Sequence, residues 1–87
     1  MKKTPLLDVV LLCSPTMKKE GFEGKAVSVS SQNQLGDFDI LPQHTNFITL
    51  IYNYLTIVTP KKEIIKYEFK RGVLRVRKNK VEIFLGL

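Results

Sequence analysis

The chain is poor in the residues that do chemistry. Its 87 residues include one cysteine and one histidine. A single Cys13 excludes an internal disulfide framework. It also excludes a cysteine-based zinc site, which needs several thiolate or imidazole ligands. A lone thiol points to a reducing, cytosolic setting. A single His44 excludes a multi-histidine metal site. Asp37, Asp39 and His44 are donors of the type that holds a divalent cation, but the two aspartates read more simply as the solvent face of a strand. A nucleophilic triad would need Ser or Cys beside His44 and an orienting carboxylate. Cys13 instead lies in an apolar run, where a thiol is a small buried hydrophobe. Gly21-Phe22-Glu23-Gly24 lacks the lysine and hydroxyl residue that follow a phosphate-cradling glycine loop. No catalytic residue, cofactor or metal is expected.

Long apolar segments are missing too. Met1-Lys2-Lys3 ahead of an apolar stretch has the outline of a signal peptide, but Asp8 interrupts it. No block reaches the length of a signal core or a membrane span. The stretch reads instead as a first β-strand. No segment offers apolar residues at i, i+3, i+4 and i+7 for three turns, so no long helix is predicted. Internal repeats and low-complexity segments are absent.

What remains is a small folded domain. The hydrophobic fraction is 44% and charged residues are 25%, ordinary values for a soluble protein. Residues 1–87 make one domain, which buries roughly 60–65% of its unfolded surface. One core fits, with little room for an internal pocket. Strand signals recur at close spacing. Leu6 to Ser14 reads as a strand buried on both faces or crossing between sheets, and Lys18 to Phe22 as a short second strand. Gly24 to Ser30, Phe47 to Ile51, Tyr54 to Thr59 and Glu63 to Phe69 follow, with Tyr52-Asn53 as a tight connection and a turn at Pro60. In the last hairpin, a Lys78-Asn79 turn pairs Arg77 with Lys80, Val76 with Val81, Arg75 with Glu82 and Leu74 with Ile83. That register puts the apolar residues on one face and an opposite-charge pair on the other. The fold class is therefore all-β, a small sandwich or barrel of about 8–10 short, mostly antiparallel strands.

One segment stands out: Gly36-Asp37-Phe38-Asp39-Ile40-Leu41-Pro42-Gln43-His44. Phe38 and Ile40 alternate with Asp37 and Asp39, the period of a half-buried strand. Pro42 has no N–H for a ladder, so it stops the pairing and leaves a rigid, shaped loop. Such loops often carry recognition.

The charge is lopsided. Residues 1–59 balance five lysines against five acids, while residues 60–87 carry nine basic residues against three acidic ones. The whole net charge of +6 lies in the last third. A basic solvent face that discourages edge-to-edge pairing accounts for this. So does a surface for an acidic protein face, an anionic membrane surface or nucleic acid, the last built from Lys66, Lys70, Arg71, Arg75 and Arg77, with Tyr67 and Phe69 as stacking platforms.

The segment Gly36 to Phe47 resembles the loop of the epsilon subunit of rotary ATP synthases. Ser14-Pro15-Thr16, Phe22-Glu23-Gly24 and Val27-Ser28-Val29 resemble that family's first hairpin and the following strand. Gly72 to Val76 with Asn79 to Ile83 resembles its closing hairpin. The resemblance implies the amino-terminal β-sandwich of a non-catalytic central-stalk subunit. Such a subunit docks on the gamma subunit and the membrane rotor ring, and couples proton flow to ATP synthesis. It implies a peripheral position on the cytoplasmic face of the energy-transducing membrane. It places Asp37 in the ring-facing loop, and Leu41, Pro42 and His44 in the shaped turn beside it. Asp37, Phe38, Asp39, Ile40, Leu41, Pro42, Gln43 and His44 are thus the expected partner-binding residues. Asp39 and Gln43 stand where the family usually has glycine. Tyr52-Asn53-Tyr54 replaces its Pro-Gly hairpin. The family's carboxy-terminal helical hairpin has no counterpart before Leu87, so neither nucleotide binding nor helix-mediated inhibition is expected. Two other readings remain open: a small basic barrel that binds single-stranded nucleic acid, and an epsilon-like scaffold serving another assembly.

Overall fold

A computed structural model describes residues 5–43 and 46–87. Seven strands form: β1 (Leu7–Cys13), β2 (Phe22–Ala26), β3 (Ser28–Asn33), β4 (Gly36–Ile40), β5 (Phe47–Val58), β6 (Ile64–Arg77) and β7 (Lys80–Leu85). They hydrogen-bond in the order β2-β1-β7-β6-β5-β3-β4. β1 and β7 run parallel, and every other pairing is antiparallel. The only helical turn among the described residues is a 3-10 turn at Pro15–Met17.

β5 and β6 hold the architecture together. They pair along their length, from Phe47↔Val76 to Val58↔Ile64. The ladder slips at one place: Tyr52 faces Arg71 and Asn53 faces Phe69, which leaves Lys70 as an extra residue. Side chains alternate along a strand, so one extra residue exchanges the inward and outward sets. Before the bulge, Ile65, Tyr67 and Phe69 point to the core; after it, Gly72, Leu74 and Val76 do. The bulge splits the sheet into two leaves. The first holds β2, β1, β7 and the halves of β6 and β5 on one side of the slip. The second holds the other halves with β3 and β4.

One contiguous core joins the leaves. Leu7, Val9 and Leu11 of β1 enter it with Val29, Ile40, Ile51, Leu55, Ile57, Leu74, Val76, Val81, Ile83 and Leu85. Burying a side chain of this kind contributes about 1.5–3 kcal/mol. Tyr67 reaches across the core, and its hydroxyl donates to the Glu20 carbonyl at 3.0 Å.

The all-β reading stands, and the carboxy-terminal hairpin has the predicted register at all four pairs. Five local expectations change. There are seven strands because Tyr52-Asn53 lies within a continuous β5, opposite the Lys70 bulge of β6, and is not a tight connection. β1 is buried on one face only, since Leu12 is 58% exposed on the other. Lys18 to Phe22 does not pair as a strand; Lys18 caps the 3-10 turn at φ 54, and β2 begins at Phe22. Gly24 to Ser30 divides at Val27, where the chain passes between leaves and the Val27 N–H donates to the Val58 carbonyl at 2.8 Å. Pairing after Pro60 begins at Ile64 and runs on to Arg77.

Candidate docking surfaces

β4 lies at the edge of the sheet, paired only with β3. Gly36 opens it at φ 118, a conformation that suits glycine. Asp37 and Asp39 are exposed but engaged. The Ser30 hydroxyl donates to Asp39 at 2.6 Å, and Tyr54 and Gln32 donate to Asp37 at 3.1 and 3.3 Å. Burial, then the bond to Asp37, pushes the Tyr54 hydroxyl above the usual phenol range, so it stays a donor. The other two strand residues face inward. Ile40 is 0% exposed. Phe38 packs on the core edge-to-face against Phe47, with ring centroids 6.0 Å apart. Beyond the strand, Leu41 and Gln43 are exposed and Pro42 is half-buried. His44 lies outside the described residues.

The loop after β4 is clamped. Pro42 is followed by Gln43 at φ 67, the arrangement of the two central positions of a type II turn. Gln43 therefore adopts the conformation that a glycine would take most easily. Its N–H donates to the Asn79 side-chain oxygen at 2.6 Å. In return, the Lys78 N–H donates to the Asn46 side-chain oxygen at 2.8 Å. Two asparagines thus tie this loop to the β6–β7 turn.

The second surface is the outer face of the first leaf. Strand register sets it out as two rows. In one, Leu12 faces Phe84, Phe84 faces Val73, and Val73 faces Leu50. In the other, Val10 faces Glu82, Glu82 faces Arg75, and Arg75 faces Ile48. Five of these apolar side chains, all but Leu50, line a shallow groove together with Arg75 and Glu82. Ile48, Leu12, Leu50 and Phe84 are 66, 58, 45 and 37% exposed. At the centre, Arg75 donates to one Glu82 oxygen through Nε at 2.9 Å and Nη2 at 2.5 Å. That bond holds the Glu82 carboxyl below the usual carboxylate range. An apolar patch of this kind around one satisfied ion pair is a candidate interaction surface. The outer face of the second leaf is more polar, with Ser30, Gln32, Asp37, Asp39, Tyr54, Thr56 and Lys66, and carries the exposed Ile64 opposite Val58 at its end. The apolar face is not among the surfaces expected from the sequence. Its signal was there in Ile48 and Leu50, which leave β5 apolar on both parities.

The nucleic-acid platform is corrected. Tyr67 is 6% exposed and hydrogen-bonded inward, and Phe69 packs on the core. The Tyr67 ring is not free to stack on a base, and the Phe69 ring is half-buried. The five basic residues do not converge either. Lys66 lies on the second leaf, Lys70 and Arg71 at the bulge, and Arg75 and Arg77 on the first leaf. Burial pushes the Cys13 thiol up, away from the reactive thiolate. Among the described residues, no group of three or more His, Cys, Asp or Glu could hold a metal, and no helix is long and apolar enough to cross a membrane.

Comparison with known proteins bears on the fold and the family. A search of curated sequences found no match. A chain in the Euglena gracilis mitochondrial ATP synthase OSCP/F1/c-ring structure superposes with a TM-score of 0.80 at 12% identity. The match covers 98% of this chain and 53% of that one. A chain in the central stalk/c-ring structure of the Tetrahymena thermophila mitochondrial ATP synthase gives 0.71 at 13% identity, covering 97% and 66%. The present chain thus spans about half to two thirds of the length of these neighbours. The sequence profile of the ATP synthase delta/epsilon chain, beta-sandwich domain, matches residues 12–85. With a seven-stranded sheet folded about one core and a profile match along nearly its whole length, the chain belongs to the delta/epsilon beta-sandwich family of ATP synthases.

Proposed function

We propose that this chain is a non-catalytic central-stalk subunit of a proton-translocating ATP synthase, joining the gamma subunit to the membrane rotor ring. The observation that carries the reading is the outer face of the first leaf. Permanent complexes bury faces that resemble a domain core cut in half. Here four strands present apolar side chains around Arg75 and Glu82, which satisfy each other. Covering them leaves no bare charge, the usual penalty of burying a lone ion. This face takes the gamma subunit. The segment Asp37 to His44, which is clamped at Gln43, takes the polar loops of the ring. A loop already held by Pro42 and two asparagine bonds loses little entropy on docking. The position is peripheral, on the cytoplasmic side of the energy-transducing membrane, and the role is to keep gamma and ring turning together.

Co-purification from a cell that makes gamma and ring subunits tests the reading. The wild-type chain brings down both. Leu12→Asp with Ile48→Asp keeps the fold, since both side chains are exposed and their strands β1 and β5 are not neighbours, and loses gamma. Recovery of neither subunit with the wild-type chain overturns the assignment. Recovery of gamma by the double variant moves the docking face elsewhere.

A further inference from the structure

The two asparagine clamps have a second consequence. Asn46 and Asn79 each use the amide oxygen to accept a backbone N–H. A side-chain amide fixed by its oxygen presents its NH2 group, with two donors, on the other side. Neither NH2 meets an acceptor among the described residues. Both asparagines line one polar depression with Asp8, Arg77, Lys78 and Lys80. The Asp8 carboxylate is already paired with Lys25. Arg77, Lys78 and Lys80 have no ion-pair partner among the described residues. Arg77 and Lys80 act only at longer range on Glu82, which is held by Arg75. Apart from the second oxygen of the paired Asp8, the free polar side-chain groups of the depression are therefore donors and cations.

The register adds an independent observation. Arg77 and Lys80 are directly paired across the β6–β7 ladder. Like charges in that position destabilise a hairpin. An anion placed between them would remove the repulsion and accept from both. Phosphate has this chemistry: several acceptor oxygens, more than one negative charge, and strong charge-assisted hydrogen bonds to guanidinium and ammonium.

We propose that the depression bounded by Asn46, Arg77, Lys78, Asn79 and Lys80 is a binding site for a phosphate group, carried by a membrane headgroup or by a free solute. The Asn79 bond to Gln43 places it beside the clamped loop, so occupancy stiffens the loop as well as the turn.

Nitrogen-15 NMR titration of the wild-type chain with inorganic phosphate tests this, with ionic strength held constant by chloride. The side-chain NH2 signals of Asn46 and Asn79 shift and saturate with phosphate, and chloride alone leaves them in place. Arg77→Gln and Lys80→Gln each remove the like-charge pair, so both fold at least as well as wild type. Each binds phosphate about tenfold more weakly. Equal shifts in chloride, or variants that respond as wild type does, overturn the site. Vesicles then separate the sources. Sedimentation with phosphatidylglycerol-containing vesicles, and not with pure phosphatidylcholine, assigns the group to a headgroup. A phosphate response without sedimentation assigns it to a solute.

Discussion

Gln43 donates its backbone N–H to the side chain of Asn79, 36 residues further along the chain, at 2.6 Å. The bond links the loop that leaves edge strand β4 to the turn of the most regular hairpin in the fold. The loop's shape thus depends on a residue that no local pattern connects to it.

Replacing Asn79 with alanine removes that acceptor and leaves the Gln43 N–H without its partner. The expected loss is roughly 1 kcal/mol of global stability, the net worth of an ordinary hydrogen bond. The sharper readout is local. The Gln43 amide exchanges faster in the variant while core amides such as Leu55 change only by the global amount. Unchanged protection at Gln43 would count against the clamp.

Gln43 sits at φ 67. Left-handed backbone costs a residue with a Cβ about 1–2 kcal/mol, and glycine avoids this at an unfolded-state entropy cost of about 0.5–1 kcal/mol. Gln43→Gly is therefore expected to be neutral or to stabilise by up to about 1 kcal/mol. Gln43→Val introduces a β-branched side chain at the same φ and destabilises. Paired chemical denaturation curves check the opposite signs.

Gly72 follows the bulge and is buried against β7. A Cβ there would lie 2.6 Å from the Phe84 carbonyl oxygen and 2.9 Å from a Leu85 methyl. The first contact is backbone and cannot rotate away. Gly72→Ala should destabilise by about 1–3 kcal/mol, as overpacking does in close-packed cores. The denaturation midpoint measures it, and a wild-type midpoint would mean that the strands separate there at no cost.

The Glu82 carboxyl is held below its ordinary range by its bonds to Arg75, with smaller help from Lys80 and Arg77. A depressed carboxyl takes up its proton more readily in the unfolded chain than in the folded one. Its contribution is present above the unfolded value and is lost as pH falls through the folded one. Wild-type stability should therefore decline more steeply through the acidic carboxylate range than that of Glu82→Gln. Parallel stability profiles for the two proteins test the difference in slope.

Much of the fold was legible because strands announce themselves by period. β4 begins and ends where glycine and the residues before proline place it, and the β6–β7 hairpin follows its apolar alternation. The bulge was not legible, since Tyr52 and Asn53 look like a turn when β5 is read alone. Only pairing with β6 reveals that Lys70 is the extra residue. The docking surfaces divide in the same way. The segment from Asp37 to Gln43 was visible as strand plus proline. The apolar face was not, because Val10 and Leu12 in β1 look like core residues until the neighbouring strands show which side is covered. Tyr67 and Phe69 carried the opposite error: aromatic residues among lysines suggested an exposed platform, and both turned inward.

β5 and β6 run through both leaves of the sandwich, so the leaves are parts of one hydrogen-bonded ladder. In a sandwich held only by side chains, one layer slides over the other when apolar contacts slip. Here sliding would have to shear backbone hydrogen bonds at the bend. A twisting load on one leaf therefore passes to the other along two covalent strands, and the Lys70 bulge is the point where it concentrates.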